Sequence, residues 1–285
     1  MQLIVLILFW LVSIVPASAH DVDTDSIIME LDRSLENKEQ YEQAKQTRLK
    51  KMYQKFPTTK GNEQLFKNYI KLYDEYKSYK YDSANVYAQK SIVLARQMKN
   101  PDFLVEAYCA KVFCLLSAGL YKEAFEEIGN VSLTGVSDKY KKIYYTTQVR
   151  LNYDNSDYNH SQPYQEKDIR RGNLFTDTLL TYLKPDTQDW LYAVGMRQMK
   201  NRRYKESIAS FEKLLTLKDI DTHTKAIVTS SMGWIYRLMD NDALAIYYLA
   251  QAAIFDNISA TRETTALRVL GGNLYERGDV KRAMQ

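Results

Sequence analysis

The densest run of chemically capable side chains is Arg197, Lys200, Arg202, Arg203 and Lys205, within GMRQMKNRRYKESIASF. Cations this close could grip a phosphate or an acidic peptide through charge-assisted hydrogen bonds. The run also falls at a predicted turn between two helices, where a solvated loop is the simpler account. Only His20, His160 and His223 could act as imidazole bases or ligands. They lie far apart, none has a second His or Cys at metal-ligand spacing, and they read as lone surface histidines. Tyr69, Tyr73 and Tyr76, joined by Leu72, could stack a ligand. At helical spacing, however, Tyr69, Leu72 and Tyr76 read as core, with Tyr73 the least bound to that role. There is no G-x-S-x-G, no phosphate-cradling glycine loop and no H-E-x-x-H. The residues therefore point to recognition rather than catalysis, with no metal and no cofactor. A hydrolase assembled from distant carboxylates is the alternative that sequence leaves open.

A net charge of +4 over 285 residues is too weak to indicate nucleic acid, and no recognition fold or broad basic face is visible. With ten Gly and five Pro, the chain lacks the turn-rich texture of sandwiches and barrels and reads as all-α. Its 23 tyrosines suit half-buried seams between helices, each ring having an apolar body and a polar tip.

Residues 1–19 differ from the rest. Leu3 to Ile14 carry no charge, and Pro16 and the small-x-small Ala17-Ser18-Ala19 precede the polar His20-Asp21. This pattern predicts a signal peptide cleaved after Ala19, with an uncleaved N-terminal anchor as the alternative, and hence export. Cys109 and Cys114 are the only cysteines. Five residues of helix set them about 140° apart around the axis, a poor geometry for a bridge, so both are expected to be buried thiols. His20 stands where a lipid-modified cysteine would follow a lipoprotein signal.

Gly195, Gly233 and Gly271 recur every 38 residues, and Ser207, Ala245 and Ala283 keep the same step. Small residues at such a period allow stacked helical hairpins to cross closely. In GWIYRLMDNDALAIYYLAQAA the residues Gly233, Tyr236, Ala245, Leu249 and Ala252 resemble the tetratricopeptide repeat, and so do Gly195, Tyr204, Ser207 and Phe211 one unit earlier. Tyr81 and Ala84, then Gly119, Tyr121 and Ala124, mark earlier units. The resemblance implies a superhelical solenoid with repeats at about 61–100, 101–136, 137–185, 186–220, 221–258 and an incomplete 259–285. The unit at 137–185 lacks the small-residue signature. Residues 20–60, with Ile28, Leu31, Leu35, Ala44, Leu49, Met52 and Phe56 at largely helical spacing, are expected to form one long helix capping the first repeat.

The stretches ENKEQYEQAKQTRL, LYDEYKSYKYDSANVYAQKS, LNYDNSDYNH and ATRETTALRVLGGNLYERGDVKRA resemble a family of Bacteroidota proteins. These have a signal peptide, periplasmic tetratricopeptide repeats, one membrane helix and a cytoplasmic tail, and are labelled transcriptional regulators. The resemblance implies a periplasmic scaffold for a protein or peptide partner in the cell envelope. It makes no direct nucleic-acid contact through this region, and its membrane anchor lies in a C-terminal segment beyond Gln285. By the same resemblance, a groove would present Tyr192, Met196, Met199, Trp234, Arg237, Arg268 and Tyr275, aromatic and basic types that dominate interfaces. The competing reading is that Met and Trp at helical spacing are core. A nutrient- or glycan-binding helical-repeat protein is the rival binding function.

Overall fold

Helix boundaries follow the polar punctuation of the sequence. The computed structural model describes residues 23–284, so the signal-peptide expectation lies outside the described residues. Helices α1 (Thr24–Glu36) and α2 (Lys38–Tyr53) and a short 3-10 turn, Phe56–Thr58, precede six helical hairpins. The hairpins pair α3 (Asn62–Tyr76) with α4 (Tyr81–Met98), α5 (Pro101–Ser117) with α6 (Tyr121–Gly129), and α7 (Asp138–Tyr158) with α8 (Tyr164–Thr181). They continue with α9 (Gln188–Lys200) and α10 (Tyr204–Leu215), α11 (Thr222–Leu238) and α12 (Asp242–Ile258), and α13 (Thr265–Glu276) and the short α14 (Val280–Ala283). Among the described residues there is no strand, and no helix is long and apolar enough to cross a membrane. The fold is an all-α tetratricopeptide-like solenoid.

The recurring glycines mark the tightest crossings. A Cβ on Gly195 would overlap the Phe211 ring, and one on Gly233 would stand 2.7 Å from Leu249 Cγ and 3.0 Å from its backbone nitrogen. Ser207 Oγ donates to the Gly195 carbonyl at 2.8 Å across the first of these crossings. The third hairpin does have a close approach, with partners reversed: Gly172 of the second helix meets Tyr153 of the first. The turns keep the step as well. Arg202, Asp240 and Gly278, 38 residues apart, all have positive φ (58°, 55° and 83°). Arg202 is thus the residue that turns the chain between α9 and α10. Tyrosines build the first hairpin, where Tyr76 stacks on Tyr87 (centroids 6.0 Å apart), and Tyr53 hydroxyl lies 3.1 Å and 2.8 Å from the hydroxyls of Tyr76 and Tyr87. Leu72, Tyr73 and Tyr76 are buried there, and Cys109 and Cys114 are buried free thiols.

The N-terminal segment departs from expectation in two ways. It is two helices, because the Asn37 side chain donates to the Arg33 carbonyl at 2.8 Å and competes with the continuing helix. Its first helix does not cap the first hairpin. Ile27, Ile28 and Leu31 of α1 pack instead into the cluster formed by Ile246, Leu249, Ala250 and Ala253 of α12 and Val269 and Leu270 of α13. Helix α2 lies between α3 and α12. The stripe it buries runs through Lys45 and Leu49, with Ala44 exposed, since Lys45 is one turn from Leu49 and Ala44 is not.

Several ties close the superhelix on itself. Asn257 Nδ2 donates to Ser34 Oγ at 2.8 Å, and both residues are buried. Arg262 N donates to the Ser78 carbonyl at 2.7 Å, its guanidinium lying 4.8 Å from the Tyr79 ring centre. Arg282 of α14 pairs with Asp25 of α1 at 2.6 Å.

Candidate functional site

The first helices of successive hairpins turn a set of cations and aromatic rings toward one another. From α3 comes Tyr73 and from its C-cap Lys77, from α5 Phe113, and from α7 Arg150 and Asp154. Tyr73 meets Phe113 edge-on, with centroids 6.2 Å apart. The Arg150 guanidinium lies over the Phe113 ring at 4.2 Å, and Lys77 Nζ is 5.8 Å from the same ring and from that of Tyr73. Such placement favours a cation, by attraction to the ring faces.

Arg150 is held but not consumed. Its Nε donates to Asp154 at 3.1 Å, and among the described residues its two terminal nitrogens have no protein partner. The side chain is 45% exposed although its guanidinium lies against the Phe113 ring. A planar fork with two free donors is the geometry that takes a carboxylate side-on.

Two neighbours register this charge. Burial pushes the Tyr192 hydroxyl of α9 above its usual range, with Arg150 pulling back down and Asp154 adding to the rise. Burial also lowers the His223 imidazole of α11, helped by Lys77, with Asp221 opposing and Arg150 and Lys45 adding to the drop. The shift favours the neutral form of His223, and among the described residues its Nδ1 is buried without a hydrogen-bond partner. It is half-buried in this assembly, which corrects its reading as a lone surface residue.

The residues singled out by resemblance are placed as follows. Tyr192, Met196 and Met199 are half-buried in the seams of the fourth hairpin, packed against Leu191, Phe211 and their neighbours. Only Tyr192 of the three is electrostatically tied to Arg150. Trp234 and Tyr275 are exposed (43% and 65%), as is Arg268. Arg237 pairs with Glu276 at 2.8 Å, joining α11 to α13. The basic run is not a free patch. Arg197 pairs with Asp177, Lys200 holds Asp157 at 2.5 Å with its side chain only 7% exposed, and Arg203 holds Glu206 at 3.1 Å. Arg202 and Lys205 remain exposed, and Arg202 occupies the left-handed turn described above. Lys77, Phe113 and Arg150 escaped sequence reasoning because they are spread over three hairpins and no short motif contains them.

Stacked antiparallel helix pairs whose first helices line an inner, ring-rich face define a tetratricopeptide-type scaffold. The family described as the SusR N-terminal TPR domain matches residues 35–285, and the chain belongs to that family. No curated protein matches the chain. TPR domains in general mediate protein–protein interaction, and this chain is a helical-repeat interaction scaffold of that kind.

Proposed function

We propose that the chain is the exported, non-catalytic sensory part of a membrane-anchored signalling or transcriptional regulator, and that its inner face receives an acidic segment of an envelope protein. The apolar run and Ala17-Ser18-Ala19 at the N-terminus support export, and the family match supports recognition by the repeats. The observation that carries the acidic preference is Arg150, stacked on Phe113 with its terminal nitrogens free and Lys77 beside it. A carboxylate docked there gains charge-assisted hydrogen bonds, which are stronger on a partly desolvated surface than at an open one.

Fluorescence anisotropy with a panel of labelled acidic and charge-neutralised peptides tests this reading. Acidic peptides should bind, and Arg150→Gln should weaken them by about tenfold or more, in line with a lost charged hydrogen bond. Trp234→Ala and Arg237→Ala probe the outer part of the same groove. If Arg150→Gln, Trp234→Ala and Arg237→Ala all leave binding unchanged while circular dichroism shows an intact fold, the inner face is not the site.

A further inference from the structure

Where α2 and the first hairpin meet the fifth hairpin there is a cavity of about 560 Å³, bounded by α2 and α3 on one side and by the start of α11 and the end of α12 on the other. Its size is that of a small-molecule site. It is polar, and its carboxylates are already engaged. Asp74 holds Lys77 at 2.9 Å, Glu75 lies 3.6 Å from Arg48, and Asp221 caps α11 by accepting from Thr224 N at 2.9 Å and Thr224 Oγ1 at 2.6 Å.

Lys45 is the exception. It is 5% exposed, and among the described residues no carboxylate lies within ion-pair distance of it. Its Nζ has only a long contact of 3.5 Å to the Ser259 carbonyl and the Tyr79 ring at 5.0 Å. Burial lowers its pKa, with Glu75 opposing and Arg48 adding. A buried ammonium without a counter-charge is costly, and proteins rarely keep one without a use. Two further groups in the same wall are unsatisfied: Ser259 Oγ and His223 Nδ1 are buried and have no hydrogen-bond partner among the described residues. Lys71, also in the wall, has no ion pair among the described residues.

We infer that this joint is a binding site for a small organic carboxylate, its charge taken by Lys45 and Ser259 Oγ and a second polar group by His223 Nδ1. The ligand bridges the N-terminal helix pair and the fifth hairpin, so it binds the closed superhelix and not an opened one. Its occupancy reports whether the ring is shut. The site is distinct from the peptide-binding reading of the inner face, although Lys77 and His223 adjoin both.

Isothermal titration of the full chain with citrate and succinate tests the assignment, with inorganic phosphate and glucose as controls. Either carboxylate should bind saturably and raise the thermal unfolding midpoint, as any ligand of the folded state does. Lys45→Gln should weaken that binding by about tenfold or more and Ser259→Ala by less, while Arg150→Gln, which is not in the cavity wall, should change it least of the three. Lys45→Arg, which keeps the charge, covers the case in which Lys45→Gln does not fold: it should retain carboxylate binding, and Ser259→Ala then carries the comparison. Absence of carboxylate binding, binding of phosphate or glucose in its place, or equal binding by wild type, Ser259→Ala and, where it folds, Lys45→Gln would overturn the inference. Loss through Arg150→Gln alone would move the carboxylate to the inner face and also overturn it.

Discussion

Helices α4 and α12 are the second helices of the first and fifth hairpins, and they meet opposite fates. On α4, Val86 and Val93 are 48% and 47% exposed. On α12 every residue from Leu244 to Asn257 except Tyr247 is buried, because α1 covers the side that a repeat normally turns to solvent. The N-terminal pair therefore divides: α2 packs on the hairpin next to it in sequence through Leu49, Met52 and Tyr53, whereas α1 passes that hairpin by and closes on the one that needs covering. The difference was written in composition. ALAIYYLAQAAIF is apolar all round, and such a helix must be enclosed on every side, whereas α4 alternates an apolar face with Asn85, Gln89, Lys90 and Gln97.

The largest test of that contrast sets Leu31→Asp against Val93→Asp. A charge at Leu31 is forced into the α1–α12 seam and should cost about 4 kcal/mol of unfolding free energy in urea titration. At Val93 the same change should cost within about 0.5 kcal/mol. Equal costs would break the distinction.

The next effect comes from Asp256 near the end of α12. Burial pushes its carboxyl up to about 7, against an opposing hydrogen bond from Thr261 and with Glu263 adding to the rise. Because the folded pKa lies above the ordinary carboxylate value, the folded state holds the proton more tightly than the unfolded one. The contribution of Asp256 to stability should be greatest below about pH 4, fall as pH rises toward about 7, and level off above it. Asp256→Asn should remove this slope and leave the protein about 3 kcal/mol more stable than wild type at pH 8. Denaturant midpoints across that pH range measure it, and a variant that keeps the slope would refute the assignment.

A smaller pair compares two members of the glycine series. Gly233→Ala drives a Cβ into Leu249 and should destabilise by about 2 kcal/mol. Gly271→Ala meets only the Ala283 carbonyl, at 3.4 Å, and should instead gain about 0.5 kcal/mol from helix propensity. Thermal unfolding of both separates a step kept for packing from one kept in register alone.

These contrasts also mark how far sequence could lead. The 38-residue series was legible because a close crossing constrains residue type directly: little beyond Gly fits against Phe211 or Leu249. The third hairpin hid its crossing because the glycine and the aromatic exchange helices, so Gly172 falls outside the expected step. Lys45 is hidden by its polarity, which suggests exposure, although its spacing from Leu49 places it on the buried stripe. The Arg150 cluster was not legible at all. Its members lie 77 residues apart between Tyr73 and Arg150, and only the curvature of the stacked hairpins brings them together.

The central claim is that α1 seats on α12 and closes the superhelix. The most direct measurement is cross-linking of Asp25→Cys with Arg282→Cys, an exposed pair across the same closure, by a short bifunctional maleimide. The native thiols should stay silent, since both are buried and burial pushes Cys109 up to about 12 and Cys114 up to about 11. The account predicts near-complete intramolecular cross-linking of this pair and none between Asp25→Cys and Val86→Cys on α4. Cross-linking to Val86→Cys, with Arg282→Cys left unreacted, would contradict it.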